Sequence, residues 1–283
     1  MLSYRHAFHA GNHGDVLKHS VLTLIVEHLL KKAKPFVYID THAGAGRYDL
    51  KTEWAEKNRE FATGILPLWQ RKDLPKGLRT YIGIVRHMNP TGELRWYPGS
   101  PWVARQLMRK QDKARLFELH NNEIHNLRTL VAKERNIKVE HADGLQMIKA
   151  ILPPLERRAL TLIDPSYEIK DDFVRVVTTL KDAYRRFAMG VYVLWYPVIN
   201  RTYITRLESD LRRSGIRNIL LAELTFAPAS TQGMSGSGVI VINPPWTLPD
   251  SLQEMLPYLA GLLGSIQQNT EHGKYRIDTL VPE

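Results

Sequence analysis

The chain has 283 residues, of which 43% are hydrophobic and 24% charged, values typical of one folded α/β unit large enough to carry an insertion. It contains no cysteine, which excludes disulfides, cysteine-ligated zinc or iron–sulfur sites, cysteine-ligated zinc deaminases and the thiolate nucleophile used to methylate pyrimidine C5. Its formal net charge of +10 favours a polyanionic partner, because each neutralised phosphate releases condensed counterions.

The positive charge is concentrated in short stretches. One dense run lies between Arg105 and Arg115, and arginine pairs recur at 157–158, 185–186 and 212–213. A single pair is more often part of a solvated face, so the nucleic-acid interpretation depends on the summed charge.

Nothing in the sequence predicts export or membrane insertion. The N-terminus has no apolar leader segment, and the longest apolar run, Val191 to Ile199, is too short to span a bilayer. We therefore expect a cytoplasmic protein with no membrane partner, and we expect a monomer.

The first elements along the chain are a helix and a buried strand. Apolar residues at helical spacing predict a helix from about Asp15 to Lys31, and Pro35 ends the pattern. Phe36–Asp40 predicts a buried strand, and the glycine-containing turn Thr41–Gly46 follows at once.

Six more strands are predicted further along, with helical patterns between most of them. This alternation indicates an α/β fold with a mostly parallel, doubly wound sheet. The six runs are Leu116–Leu119, Ile137–Glu140, Leu160–Ile163, Val191–Trp195, Ile219–Leu221 and Gly238–Ile242.

One spacing is unusual for such a fold. The acidic residue that holds a ribose normally follows the glycine-rich turn by about 20 residues, but the best candidate, Glu118, comes more than 70 residues after Gly46. We interpret residues 48–97, rich in Trp, Lys, Arg and Glu, as a helical insertion between the first two core strands. It either grips substrate or only stabilises the fold.

Three features at strand ends suit a nucleoside ligand, although each is weak alone. Gly44 and Gly46 permit close approach to a ligand, but the third glycine of the dinucleotide fingerprint is missing, and a turn without a ligand is an equal interpretation. The Glu118 carboxylate suits ribose hydroxyls, and Asp143-Gly144 suits the amino group of a cofactor adenine. Taken singly, these are an ordinary surface residue and an ordinary turn.

The fourth feature, Asp164-Pro165-Ser166-Tyr167 after an apolar strand, suits amino methylation of adenine. Adenine N6 is a poor nucleophile because its lone pair is delocalised, so its N–H groups need acceptors such as the Asp164 carboxylate and the Pro165 carbonyl. Tyr167 suits stacking on an extruded base. A chance Asp-Pro turn is the alternative, but the four features occur in the order expected of one crevice at the carboxyl ends of the strands.

Seven motifs are spread along the whole chain: Ser3–His13, Asp15–His19, Asp40–Tyr48, Tyr97–Pro101, Ile163–Pro165, Leu194–Pro197 and Ile242–Trp246. Together they resemble the motifs of the bacterial 23S ribosomal RNA adenine-N6 methyltransferase J family. The resemblance implies a Rossmann-like, S-adenosylmethionine-dependent methyltransferase with a small helical insertion, which acts on one adenine of 23S ribosomal RNA.

The resemblance also implies residue roles. Asp164 takes the family's catalytic position, and an N-terminal tail, residues 1–13, covers the active site and brings Tyr4, His6 and Lys18 to the substrate adenine. The donor site is implied to consist of His19, His42, Ser100, Glu118, Asp143, Gly144 and Asp164.

Ser166 departs from the family pattern, which has proline there. The proline would stiffen the loop, yet Asp164, Pro165 and Tyr167 are retained, so we expect activity to persist. Asn243-Pro244-Pro245-Trp246 imitates an amino-methyltransferase motif, but its place at the last predicted strand favours a structural turn. We expect no metal at the N-terminal histidines.

Two other functions remain open at this stage. The chain could methylate adenine in DNA, although the insertion is short for sequence readout. It could instead be a non-catalytic RNA-binding module on a degenerate methyltransferase fold. A nicotinamide dehydrogenase fits less well, given the missing glycine and the basic charge.

Overall fold

The computed structural model describes residues 6–169, 171–226, 233–266 and 273–283. The strands are β1 (Val37–Asp40), β2 (Arg47–Asp49), β3 (Trp96–Pro98), β4 (Lys113–Phe117), β5 (Ile137–Glu140), β6 (Ala159–Ile163), β7 (Val191–Val198), β8 (Ile219–Thr225), β9 (Gly236–Ile242) and β10 (Lys274–Val281). The helices are α1 (His13–Leu30), α2 (Glu53–Asn58), α3 (Leu66–Trp69), α4 (Lys76–Met88), α5 (Ser100–Leu107), α6 (Asn121–Leu130), α7 (Gly144–Ile151), α8 (Asp172–Arg186), α9 (Arg201–Arg212) and α10 (Leu248–Ile266).

Eight strands form the central sheet in the order β10-β8-β9-β7-β6-β1-β4-β5. Strands β5, β4, β1, β6 and β7 are parallel, whereas β9 runs antiparallel between β7 and β8, and β10 is antiparallel to β8 at one edge. The predicted α/β, mostly parallel sheet is confirmed. All seven predicted core strands are present, with bounds that differ by a few residues.

Three strands were not predicted, for physical reasons. Strands β2 and β3 have three residues each and pair only with one another, which is too short for a periodic signal. Strand β10 is a sheet edge in which most residues are exposed or half-buried, so it has no regular apolar alternation.

Helix α1 lies in the interior of the protein rather than on its surface. Fourteen of its 18 residues are buried, and it contacts α4, α5, α10 and β9. Asn12 caps it by accepting a hydrogen bond from the Asp15 N–H. Because the helix is enclosed, its polar residues Asp15, Lys18 and His19 must find partners inside the fold.

Residues 48–97, predicted as an insertion, contain α2, α3 and α4 and run from β2 to β3, which pair antiparallel. Tyr48 lies opposite Tyr97 in this two-stranded sheet. Helix α4 packs on α1 and α10, so the insertion is anchored to the core as well as joined to it. No helix in the described part of the chain is both long and apolar enough to cross a membrane.

Candidate active site

A crevice of about 1130 Å³, including its open mouth, lies at the carboxyl ends of β1, β4, β5 and β6. Parallel pairing places these ends side by side, with Asp40 opposite Leu116 on one neighbour and Leu162 on the other. The crevice is lined by most of the described residues that were predicted for donor binding, substrate binding or catalysis: His6, Lys18, His19, His42, Ser100, Glu118, Asp143, Gly144, Asp164 and Pro165.

Glu118 joins the turn after β1 to the end of β4. One carboxylate oxygen accepts from the Gly44 N–H at 2.8 Å and the other from the His120 N–H at 2.7 Å. Gly44 has a φ of +59°, and a Cβ there would lie 2.2 Å from the Tyr48 hydroxyl, so the close approach requires glycine. The carboxylate is therefore fixed in orientation at the crevice wall.

Asp143 and Gly144 form the start of α7. Asp143 caps the helix by accepting from the Leu145 N–H at 3.0 Å, and its other oxygen meets Arg175 at 3.0 Å. A Cβ on Gly144 would lie 2.3 Å from the Thr41 carbonyl oxygen. The two backbones can therefore meet only at glycine, and this contact shapes the crevice floor.

Asp40 holds Ser100 in place from beneath the crevice. Its carboxylate is fully buried and accepts from the Ser100 hydroxyl at 2.7 Å and the Tyr38 hydroxyl at 2.6 Å. Burial raises the pKa of Asp40 to about 6. Ser100, the first residue of α5, is thereby tied to the end of β1.

Asp164 ends β6 in a buried ion pair with α1. The Lys18 ammonium lies 2.6 Å from Asp164 Oδ2 and 2.8 Å from Asp15 Oδ1, and His6 Nε2 lies 2.9 Å from Asp15 Oδ2. Among the described residues, no other protein donor reaches the second carboxylate oxygen, Oδ1, of Asp164. One oxygen is thus held by the enzyme and the other is open to the crevice.

Burial and charge act in opposite directions on this group. Burial raises the pKa of Asp164 above its usual range, while the Lys18 ammonium opposes that rise. Burial disfavours the charged form of Lys18, but Asp15 and Asp164 together raise the pKa of Lys18 above its usual value. Lys18 therefore stays cationic and favours the carboxylate form of Asp164.

Two crevice histidines are neutral at pH 7. Burial lowers the pKa of His19 to about 3 and that of His42 to about 4. His19 Nδ1 lies 2.8 Å from the Tyr97 hydroxyl, which connects α1 to residues 48–97, while the buried His19 Nε2 has no hydrogen-bond partner among the residues that the structure describes. An unpartnered buried nitrogen at a crevice wall is suited to a ligand.

Comparisons with known proteins agree with this geometry. A family model described as "Ribosomal RNA large subunit methyltransferase D, RlmJ" matches residues 33–279. The chain belongs to the RlmJ family. It is 51% identical over 284 residues to "Ribosomal RNA large subunit methyltransferase J" of Escherichia coli (strain K12), and 47% identical over 285 residues to the protein of that name from Haemophilus influenzae, with each alignment covering all of both chains.

A solved structure has the same fold. The protein LPL1258 of Legionella pneumophila str. Philadelphia 1 superposes with a TM-score of 0.89 at 36% identity, covering 96% of this chain and 98% of that one. The resemblance seen in the sequence motifs is thus confirmed as family membership.

Tyr167 was predicted to stack on a substrate base, but in this RlmJ-family chain its ring does not face the crevice. Its ring is 6% exposed and packs against Phe173 and Trp195, and its hydroxyl donates to the Trp195 carbonyl at 2.7 Å. The φ of +53° at Tyr167 turns the chain so that Ser166, not the ring, lines the crevice. Stacking of Tyr167 on a substrate base would require the ring to leave this packing.

The predicted N-terminal tail is only partly described. Tyr4 lies outside the described residues, and the described chain begins with a short 3-10 turn at His6–Phe8. His6 reaches the crevice next to Tyr48, with ring centroids 5.0 Å apart.

Sequence reasoning missed crevice residues contributed by helices, Glu123 and Arg175 among them. Glu123, in the first turn of α6, has a pKa raised by burial and a buried carboxylate oxygen that finds no partner among the described residues. Arg175, in α8, bridges Asp143 and Asp172. Neither follows a strand or belongs to a motif, so only the packing of helices on the sheet reveals them.

Two further predictions concerned the motif at Asn243 and metal binding by the N-terminal histidines. Asn243 adopts a φ of +53°, and its side chain donates to the carbonyls of Ala188 and Gly190, both at 2.7 Å, which is the geometry of a structural turn. No group of three or more potential metal ligands occurs among the described residues.

Proposed function

We propose that this chain transfers a methyl group from S-adenosylmethionine to the N6 amino group of a specific adenine in 23S ribosomal RNA. The observation that carries the proposal is the Asp164 carboxylate at the end of β6, held on one oxygen by Lys18 and open on the other toward the crevice. The names of the two relatives describe methylation of large-subunit ribosomal RNA, which supports the substrate class.

The residues present fit the donor. S-adenosylmethionine supplies an electrophilic methyl group on a positively charged sulfur, and the Glu118, Asp143 and Asp164 carboxylates line the same crevice, which suits a cation. Glu118 would hold the ribose hydroxyls and Asp143 the adenine amino group. His19, His42 and Ser100 complete the site, with the unpartnered Nε2 of His19 available to a polar group of the donor.

Asp164 acts as the acceptor for the substrate amine. Its open oxygen accepts a hydrogen bond from the N6 amino group, and the Pro165 carbonyl provides a second acceptor. As nitrogen gains positive charge during transfer, a fixed carboxylate stabilises that charge more than it stabilises the neutral ground state. The acceptor needs no pKa matched to the reaction, because the amine becomes strongly acidic once methylated and loses its proton afterwards.

The enzyme also positions the substrate. We propose that the tail, residues 1–13, covers the crevice with Tyr4 and His6 near the adenine, and that Asp15 fixes His6 and Lys18 in one cluster. The insertion, residues 48–97, would form the neighbouring wall. We propose that the protein acts as a monomer, in the cytoplasm, on ribosomal RNA.

The direct test is transfer of labelled methyl groups into unmodified 23S ribosomal RNA, with duplex DNA assayed in parallel. We expect Asp164→Ala to lower turnover at least about 100-fold, the scale of losing a key transition-state contact, with donor binding measured by calorimetry. The control is Asp250→Ala, which removes an exposed carboxylate at the start of α10 and should leave turnover unchanged.

Three outcomes would contradict the proposal. Near-normal turnover of Asp164→Ala with donor bound would remove Asp164 from the reaction. Transfer into DNA but not RNA would assign the other nucleic acid. Failure of the wild-type protein to bind the donor would favour a non-catalytic RNA-binding module.

A further inference from the structure

Two basic stretches of the sequence lie away from the crevice. Of the described residues that line the crevice, Lys18 and Arg175 are the only lysine and arginine. The stretch between Arg105 and Arg115 leads into β4, and the pair at 157–158 leads into β6. The carboxyl ends of these strands lie at the crevice, so the segments that precede them lie on the opposite side, where the strands begin. We call this side the amino-terminal edge of the sheet.

A compact basic surface forms at that edge, where the segments before β1, β4 and β6 meet. We call it the Trp246 face, and it consists of Lys31, Lys32, Lys34, Arg109, Arg158 and Trp246. Arg109 donates to the Lys32 carbonyl at 3.0 Å and to the Lys34 carbonyl at 3.3 Å, and Arg158 donates to the Lys34 carbonyl as well. The two guanidinium groups thereby brace the lysine turn.

The charge of this face is poorly compensated. Lys31, Lys32 and Lys34 are exposed, and none of them forms an ion pair within the described ranges. The acid at this edge that contacts the face, Asp112, is fully buried and engaged by Arg109. Burial lowers the pKa of Arg158 most, and the nearby Arg109 lowers it further, as expected where like charges lie close together.

An exposed indole completes the surface. Trp246 is 78% exposed, and the Lys31 ammonium lies 5.8 Å from its ring centroid. It follows β9, which runs antiparallel to β7 and so ends at the same edge. The turn at Asn243, anchored to Ala188 and Gly190, holds Trp246 at this position.

We propose that the Trp246 face is a second RNA-binding surface, in which the lysines contact phosphates and the Trp246 ring stacks on an unpaired base. The proposal rests on the RNA substrate proposed above. Strands β1, β4 and β6 have four or five residues, which separates this face from the crevice by about 15 Å through the sheet. It would therefore contact an RNA segment distinct from the one that presents the target adenine, and it would matter only for long substrates.

The ordinary alternative is that these cations only stabilise the carboxyl end of α1, whose dipole favours positive charge there. In that case, replacing the lysines of the face lowers the stability of the protein. The RNA affinity then falls no more than when any other three surface lysines are replaced. A comparison at equal net charge separates the two explanations.

The test uses the full chain with Lys31, Lys32 and Lys34 all changed to alanine, and separately Trp246→Ala. The matched control changes Lys133, Lys138 and Lys181, exposed lysines outside both the face and residues 48–97, to alanine. The affinity for an unmodified 23S ribosomal RNA transcript is measured as a function of salt, together with turnover on the shortest transcript fragment that accepts a methyl group. Thermal unfolding checks that every variant is folded.

We expect the face triple variant to bind the transcript about tenfold more weakly, with a salt slope lower by about two, since each phosphate contact contributes 0.7 to 0.9. Trp246→Ala should weaken binding about fivefold or more. The control triple variant should bind nearly as wild type, and turnover on the short fragment should be unchanged in all variants.

Equal loss in the face and control variants, or no loss in either, would overturn the proposal. Binding to anionic phosphatidylglycerol vesicles that depends on these lysines, without an effect on RNA, would assign the face to a membrane surface instead. If wild type binds the transcript through this face but transfers no methyl group, the proposed function fails while the RNA-binding inference stands.

Discussion

Asp164 and Lys18 are 146 positions apart in the sequence, yet their charged groups are 2.6 Å apart. Such a contact keeps a buried carboxylate ionised, because the nearby ammonium offsets the cost of its desolvation. Lys18 is itself held by Asp15, so the state of Asp164, the proposed acceptor, depends on two charged residues of α1.

Replacing Lys18 should shift the pH dependence of turnover. In Lys18→Met, burial raises the pKa of Asp164 without the opposing ammonium, so Asp164 protonates at higher pH and loses its acceptor form earlier on acidification. The acid limb of the kcat profile should therefore move to higher pH, while in Lys18→Arg it should stay near its wild-type position. An unchanged limb in Lys18→Met would show that the ion pair does not control Asp164.

For single residues, the sequence predicted the positions of acids that follow strands better than it predicted contacts between distant residues. Asp164 and Glu118 could be placed because parallel strands bring such residues to one edge. The sequence could not predict on which side the Tyr167 ring packs. The positive φ that turns the ring inward depends on the surrounding fold. The pairing of Lys18 with Asp164 depends on how α1 lies against the sheet.

At the scale of elements, α1 determines much of the chemistry. Its first two turns carry His13, Asp15, Lys18 and His19, all buried. Apolar spacing predicted this helix but not its enclosure, since a pattern with polar residues on it reads as a surface helix. Helices α4, α5 and α10 and strand β9 pack around it.

The enclosure of α1 should make stability sensitive to acid at His13. Burial lowers the pKa of His13 to about 4 from an ordinary value of 6.5, so the unfolded chain binds a proton that the folded chain does not. Between these values the free energy of unfolding should fall by about 1.4 kcal/mol for each unit of decreasing pH from this group.

His13→Leu should remove that contribution. Urea unfolding at pH 7.5 and pH 5 should show a smaller acid-induced loss of stability in His13→Leu than in wild type. His125→Leu, which changes an exposed histidine of α6, should keep the wild-type pH dependence. A wild-type pH dependence in His13→Leu would mean that His13 is protonated in the folded protein.

At the scale of the whole molecule, one topology separates two kinds of charge. The carboxyl ends of the parallel strands collect Glu118, Asp143 and Asp164, and the opposite edge collects the cations of the Trp246 face. Composition could predict a polyanionic partner from the net charge of +10. It could not predict that part of this charge lies on the far side of the sheet, because that placement follows from strand order.

Mass spectrometry of 23S ribosomal RNA fragments from a strain that lacks the protein tests most directly whether this chain methylates one adenine through Asp164. We predict that one fragment lacks a single methyl group on adenine, that wild-type protein restores it and that Asp164→Ala does not. Identical fragments with and without the protein, or full restoration by Asp164→Ala, would contradict this function.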